Sequence, residues 1–397
     1  MKFLKNLTLS LLSLLLFLSL STFGLAFMLN KTLLNPDFVT SELDRLDVSS
    51  LVKELISQPG PGGDASAQVM ATLVNAAPKL EPLVKKQVNT AIYSTYDYLL
   101  GKKQSPELAL TLKHTILSSD FITSLVDELD VASLAGVYLR QQLKSSIPAD
   151  LGYLTGSIDA QLDDVLTEVK PWLKEQVAIA ADPVVNYLLG ESQSLKVVIS
   201  LEPVKVILKD NLRVVFLKSP PPELAGTPPA ELGRYFDEMW PSIFQQIPAT
   251  FVIDESMIGT DAPAQIAQAL AGAEDGLRQA RQYVAYFQLA YKVLIGFMVL
   301  LILGIILLNR SVRDTTRSLG ITFLTYGAFE YGGILVAKYF GGKQFSVAGL
   351  PESLQVWLPQ FLDNLMSPLE IFSLVLLIGG LALIIVSFVY KPRQSST

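Results

Sequence analysis

Glu330 is an acid in a place where charge is costly. It falls inside an apolar stretch in the last quarter of this 397-residue chain. An ionisable group at membrane depth costs at least about 2.5 kcal/mol on insertion scales. A carboxyl there can relay a proton or hold a cation. It can also stay protonated and lock helices together by a hydrogen bond, with Tyr326 or Thr325 as partner, and this structural role is the expectation. Gly320, Gly327, Gly332 and Gly333 surround it and would permit close helix contact.

Aromatic residues form the second set. Tyr235, Phe236, Met239, Trp240, Ile243 and Phe244 recur at helical spacing between proline clusters. They can cover a core or form an exposed docking surface, and so many large apolar groups in one short helix favour burial. Tyr235, Phe236 and Trp240 still mark the best place to look for a binding site. Tyr98 and Tyr187 hold matching positions in a repeated motif. They could stack on a ligand, but packing at a helix end is the simpler role. Asp37 and Asp120 suit helix starts better than cation binding.

Composition removes much other chemistry. The chain has no cysteine and one histidine, His114, so thiolate sites and histidine clusters are excluded, and no Ser/His/Asp set is read around His114. Neither a P-loop nor a dinucleotide glycine fingerprint occurs. No catalytic residue, cofactor or metal ligand is therefore expected, and the chain reads as non-enzymatic. A carboxylate-dependent hydrolase would need two convergent acids in a cleft. Residues 29–285 carry 21 Lys/Arg against 32 Asp/Glu, a balance of −11, whereas the rest carries 10 against 5, or +5. An acidic middle argues against nucleic acid as a partner.

The elements that position these residues begin with an internal duplication. Asp37-Phe38-Val39-Thr40-Ser41 returns as Asp120-Phe121-Ile122-Thr123-Ser124, and 10 of the 15 positions from Asp37 to Leu51 are identical at an offset of 83. A second arm, Pro82, Lys85, Gln87, Val88 and Ala91, matches Pro171, Lys174, Gln176, Val177 and Ala180. It ends in Tyr98-Leu99-Leu100-Gly101 and Tyr187-Leu188-Leu189-Gly190, at an offset of 89. Order and near-equal spacing in both arms mark a repeat. Asn35 and Ser118 are the expected caps of the opening helices, Asp47 and Asp130 should open a second short helix, and Gly101 and Gly190 should end a longer one. A break is expected at Pro59–Gly63, with the long helix interrupted at Pro78 and Pro82. Alternation at Leu108, Leu110 and Leu112, and at Val197, Ile199 and Leu201, predicts one strand per repeat, pairing with each other.

Around this unit lie four apolar segments. The expected order is an N-terminal anchor (1–28), repeat one (29–116), repeat two (117–205), a proline-rich aromatic connector (206–262) and a helical stalk running into a second span (263–308). A basic loop (309–317), a third span (318–340), an amphipathic interfacial segment (341–367), a fourth span (368–390) and a tail (391–397) follow. The first run is long enough to cross a bilayer. Gly24-Leu25-Ala26 offers a signal-cleavage site, but the run exceeds a usual signal core, so a retained anchor is expected. Lys2, Lys5, Arg310, Arg313, Arg317, Lys391 and Arg393 then share one side with a single acid, Asp314. By the positive-inside rule that side is the cytoplasm.

The fold class expected is a mainly α membrane protein of four transmembrane helices, with a large, internally duplicated, mostly helical extracytoplasmic domain containing a small β element. Both termini lie inside the cell, and residues 29–285 lie outside it. The expected function is binding or scaffolding of a protein, envelope component or lipid, with membrane lipids as surroundings and a homo-oligomer compatible. The alternative is an oligomeric transport or channel subunit that uses Glu330.

Overall fold

A computed structural model describes residues 2–56, 64–129, 155–244, 248–309, 311–344 and 350–389. Its elements in order are α1 (Lys2–Lys31), α2 (Pro36–Arg45), α3 (Val48–Ile56), α4 (Asp64–Leu99), α5 (Leu108–His114), α6 (Ser119–Glu128), α7 (Thr155–Leu188), β1 (Lys196–Ser200), α8 (Glu202–Lys218), α9 (Pro229–Phe244), β2 (Thr250–Asp254), α10 (Glu255–Ile258), α11 (Ala262–Asn309), α12 (Val312–Gln344) and α13 (Glu352–Val389). The protein is mostly helical, with a two-stranded sheet among the described residues. Helices α1, α11, α12 and α13 are each long and apolar enough to cross a membrane, as a multi-pass membrane protein requires. The expected features at Pro59–Gly63, Asp130, Arg310, Lys391 and Arg393 lie outside the described residues.

The chain forms two compact units. One comprises Met1–Leu51, Ile92–Pro106 and Gly276–Thr397, the other Val52–Ala91 and Glu107–Asp275. In the first, Leu16 and Leu20 of α1 share a core with Met298, Leu301 and Ile305 of α11 and with Leu319 and Tyr326 of α12. Helices α12 and α13 form an antiparallel hairpin joined along a line of small residues. Gly320 and Gly327 are seven apart, as are Ser373, Gly380 and Ser387, and all five are buried. A seven-residue spacing keeps one seam facing a partner helix. A Cβ on Gly327 would stand 2.5 Å from the Leu377 amide nitrogen, and one on Gly380 would strike that of Leu324. Only glycine permits this approach. Gly332 and Gly333, grouped with the others by sequence, have nothing within 4 Å of where a Cβ would stand and take no part.

In the second unit, α7 lies under the ribbon. Ala180 and Tyr187 bury Leu195 and Val197, with Ile199, Ile253 and Ile258 alongside. A separate cluster joins Phe216 of α8 to Leu232 and Phe236 of α9.

Several local expectations change. Leu108, Leu110 and Leu112 lie in helix α5, not a strand. Glu107 takes a left-handed conformation (φ 47°), and the Leu108 N–H donates to Glu274 Oε1 at 3.2 Å, so a tertiary partner caps the first turn. The β-branched run Val197-Val198-Ile199 does form a strand. Its mate is Thr250–Asp254, antiparallel with Val197 opposite Ile253 and Ile199 opposite Phe251, rather than the expected Leu108–Leu112. Helix α4 runs unbroken through Pro78 and Pro82. The two prolines are four apart, so both missing N–H groups fall on one face and the ladder continues on the others. The amphipathic stretch before the fourth span is the first part of α13, continuous through Pro359 and Pro368. Residues 312–317 of the expected basic loop are helical: α12 starts at Val312, and Ser311 accepts from the Asp314 N–H at 3.1 Å while donating to Asp314 Oδ2 at 2.8 Å.

Other expectations hold as local geometry. Asn35 accepts from Asp37 N–H, and Ser118 accepts from Phe121 N–H. Asp47 accepts from Ser50 N–H at 2.9 Å ahead of α3. Helix α11 continues through Gly272 and Gly276 for 48 residues, about 70 Å at the α-helical rise.

Candidate functional site

The densest polar constellation in the first unit centres on a residue that sequence reasoning passed over. Glu42 of α2 is 2% exposed. Its Oε1 accepts from Arg45 Nη1 at 2.6 Å and from Asn364 Nδ2 at 3.0 Å. Its backbone carbonyl accepts from Trp357 Nε1 at 3.0 Å. Oε2 is buried and has no hydrogen-bond partner among the described residues. Trp357 stacks on Phe361 at 4.8 Å between centroids, and Phe361 meets Phe38 at 6.1 Å. The first part of α13 is thus clamped to α2. A buried carboxylate shared between a guanidinium and an amide is costly to disturb, because removing either partner leaves the other unsatisfied. No periodicity flags Glu42. Aligning 37–51 with 120–134 even hides it, since Leu125 occupies the matching position.

Beside it, α2 is tied to the end of α4. Tyr93 Oη donates to Asp37 Oδ1 at 2.8 Å, and Tyr96 Oη donates to the Leu33 carbonyl at 2.6 Å. Burial holds the Tyr96 phenol above its ordinary pKa. Asp37 sits in the first turn of α2, where Asn35 rather than Asp37 is the cap, and its carboxylate accepts the Tyr93 phenol.

Tyr98 is buried, and the Arg281 guanidinium lies 4.7 Å from its ring centroid. Tyr187 is buried against Leu195 and Val197, with its hydroxyl 3.4 Å from the Gly259 carbonyl. Both tyrosines pack at helix ends. The two ends are built alike: Leu100, Gly101 and Lys102 N–H donate to the carbonyls of Tyr96, Tyr98 and Asp97, and Leu189, Gly190 and Glu191 N–H donate to those of Val185, Tyr187 and Asn186. Gly101 and Gly190 have φ 82° and 74°, the left-handed closure that glycine favours.

The aromatic trio divides. Phe236 is buried against Phe216 at 5.5 Å, and Trp240 is half-buried on Phe236 at 5.5 Å. Tyr235 is 52% exposed. The three do not form one surface.

Glu330 is half-buried on α12. Tyr326, one turn away, is fully buried, and its hydroxyl has no hydrogen-bond partner among the described residues. The expected Glu330–Tyr326 hydrogen bond is therefore absent. The Tyr326 hydroxyl instead abuts Gly24 of α1, where a Cβ would collide with it. The glycine that reads as part of a cleavage site is a notch for this ring. Further along the hairpin, Lys338 Nζ bridges Glu370 Oε2 at 2.5 Å and Asp363 Oδ1 at 2.8 Å. Glu370, inside the expected fourth span, is a second acid that sequence reasoning did not single out. A lysine and an acid both sitting near span ends were the available signal.

Comparison of the chain with protein-family models, curated proteins and solved structures finds no match.

Proposed function

We propose that this is a non-enzymatic binding or scaffolding protein of the cell membrane, anchored by four spans, whose region 29–285 faces away from the cytoplasm and takes a protein, envelope component or lipid partner. Both termini lie inside. The basic residues flanking the spans support that orientation. The halves 29–116 and 117–205 are read as a duplication, supported by the matched sequence arms and by the matching hydrogen bonds at Gly101 and Gly190.

One observation carries the binding role. The second unit has cores of its own, yet it leaves Tyr235, Val206 and Met257 more than half exposed, outside every candidate span. Tyr235 has an apolar body and a polar tip, the side-chain type enriched at interface centres.

The test places a photoreactive phenylalanine analogue at Tyr235 of the full-length protein in its own membrane. Irradiation should give a discrete adduct that is lost with the probe at exposed Val214, on α8. Equal, diffuse labelling from both sites would remove the docking role of Tyr235.

A further inference from the structure

The β ribbon has two free edges among the described residues, and they are not alike. The Leu201 N–H donates to the Ala249 carbonyl at 2.9 Å, which sets the phase of the antiparallel ladder. Residues 197, 199 and 201 then turn their main-chain groups toward β2. The N–H and C=O of Lys196, Val198 and Ser200 point outward, because hydrogen-bonded and outward residues alternate along a strand. No backbone partner meets these groups among the described residues.

On β2 the outward row is Thr250, Val252 and Asp254, and this edge is blunted. Pro248, in the same phase, has no N–H to give. The Asp254 carboxylate is turned back on Ser256, accepting from its N–H at 3.0 Å and its Oγ at 2.5 Å. The β1 row has neither device. It contains no proline, carries one charge at its end and exposes Val198 to 54%. Proteins normally protect such an edge. A row of unpaired amides and carbonyls at two-residue spacing has one class of complement, another extended backbone.

We infer that the free edge of β1 pairs antiparallel with β1 of a second copy of this chain, joining two ribbons into one four-stranded sheet. The segment Lys196-Val197-Val198-Ile199-Ser200 complements itself about Val198. Val198 meets its own counterpart, each N–H donating to the other's carbonyl, and Lys196 lies opposite the second copy's Ser200. The two lysines end up four residues apart, about 13 Å along the strand, beyond the usual screening length of about 8 Å. Val197 and Ile199 continue the inner apolar rows. A two-stranded ribbon is marginal in water, and four strands are not. A two-fold contact of this kind is isologous and closes at a dimer. It does not depend on a foreign partner docking at Tyr235, so the two readings fail separately.

The native chain has no cysteine, which makes single-cysteine probes clean. Val198→Cys in the full-length, membrane-embedded protein should give a dimer with a short bifunctional thiol reagent. Val206→Cys, equally exposed on α8, should not. Val198→Pro removes an N–H that the β1–β2 ladder does not use, and should weaken the dimer roughly tenfold or more without changing helical content or Tm. Val198→Lys keeps the N–H but sets two like charges directly opposite, so dimer should fall at low salt and return at high salt. Equal cross-linking at 198 and 206, a dimer indifferent to both substitutions, or a monomeric wild type would overturn the pairing. A monomer that still gives the Tyr235 adduct would sink the β1 contact alone. A dimer without that adduct would sink only the docking role of Tyr235.

Discussion

The guanidinium of Arg281, on α11, lies over the ring of Tyr98 at 4.7 Å, and its Nη1 donates to the Gln104 carbonyl at 3.2 Å. One side chain thus covers the last aromatic of α4 and satisfies the loop that follows it. Arg281→Ala should cost about 1–2 kcal/mol from the lost cation–π contact and hydrogen bond. Arg281→Lys should recover less than half, since an ammonium lacks the flat fork. Thermal unfolding of the full-length protein in detergent measures both, and full rescue by lysine would exclude the stacking.

The Glu42 clamp should be the most sensitive polar site of the first unit. Glu42→Ala leaves Asn364 and Arg45 without their acceptor and opens a small void, a loss of about 2–4 kcal/mol. Trp357→Phe removes only the indole donor and should cost about 1 kcal/mol. The double variant Glu42→Ala/Asn364→Leu should be more stable than the sum of its parts. Additive losses in this cycle would mean that the two side chains do not act together.

The glycines of α12 divide into two classes by what a methyl would meet. Gly327→Ala would press on the Leu377 backbone at 2.5 Å and should destabilise the hairpin by about 1–3 kcal/mol. Gly332→Ala meets nothing within 4 Å and should be neutral or slightly stabilising. Resistance to unfolding in a detergent series reads the difference; equal effects would contradict the seam.

Tyr96 should make the protein alkali-sensitive. Burial holds its folded pKa above the usual phenol value. Its contribution is therefore complete below the unfolded pKa near 10 and is lost as pH rises through the raised folded value. Tyr96→Phe should lower Tm by the loss of the Leu33 hydrogen bond, about 1 kcal/mol at neutral pH. It should also flatten the decline of Tm above pH 10. An unchanged alkaline slope would mean that another group titrates there.

Orientation is checked by labelling intact cells. Lys102→Cys should react with an impermeant maleimide, and Ser311→Cys should react only after the membrane is opened. The reverse pattern would invert the topology.

Much of this architecture was legible in the residues. Asn35, Ser118 and Asp47 cap where their side chains can reach an N–H, and capping is local chemistry. The four apolar helices follow from length and composition. What escaped depended on contacts distant in sequence. Leu108–Leu112 alternates like a strand but is helical, with its first N–H taken by Glu274, 166 residues away. Glu42 looks like any surface acid of an amphipathic helix until Asn364 and Trp357 arrive from more than 300 residues on. Phe236 and Trp240 fall on a core only because α8 brings Phe216 beneath them, leaving Tyr235 outside.

The small-residue seam between α12 and α13 limits how that hairpin can move. Its teeth recur every seven residues, so sliding one helix along the other finds the next fit only after about 10 Å. Any shorter slip takes Gly327 and Gly380 off the Leu377 and Leu324 backbone they now admit. A stimulus reaching this pair from either end can therefore tilt it or rotate it as one rod, but cannot work it like a piston.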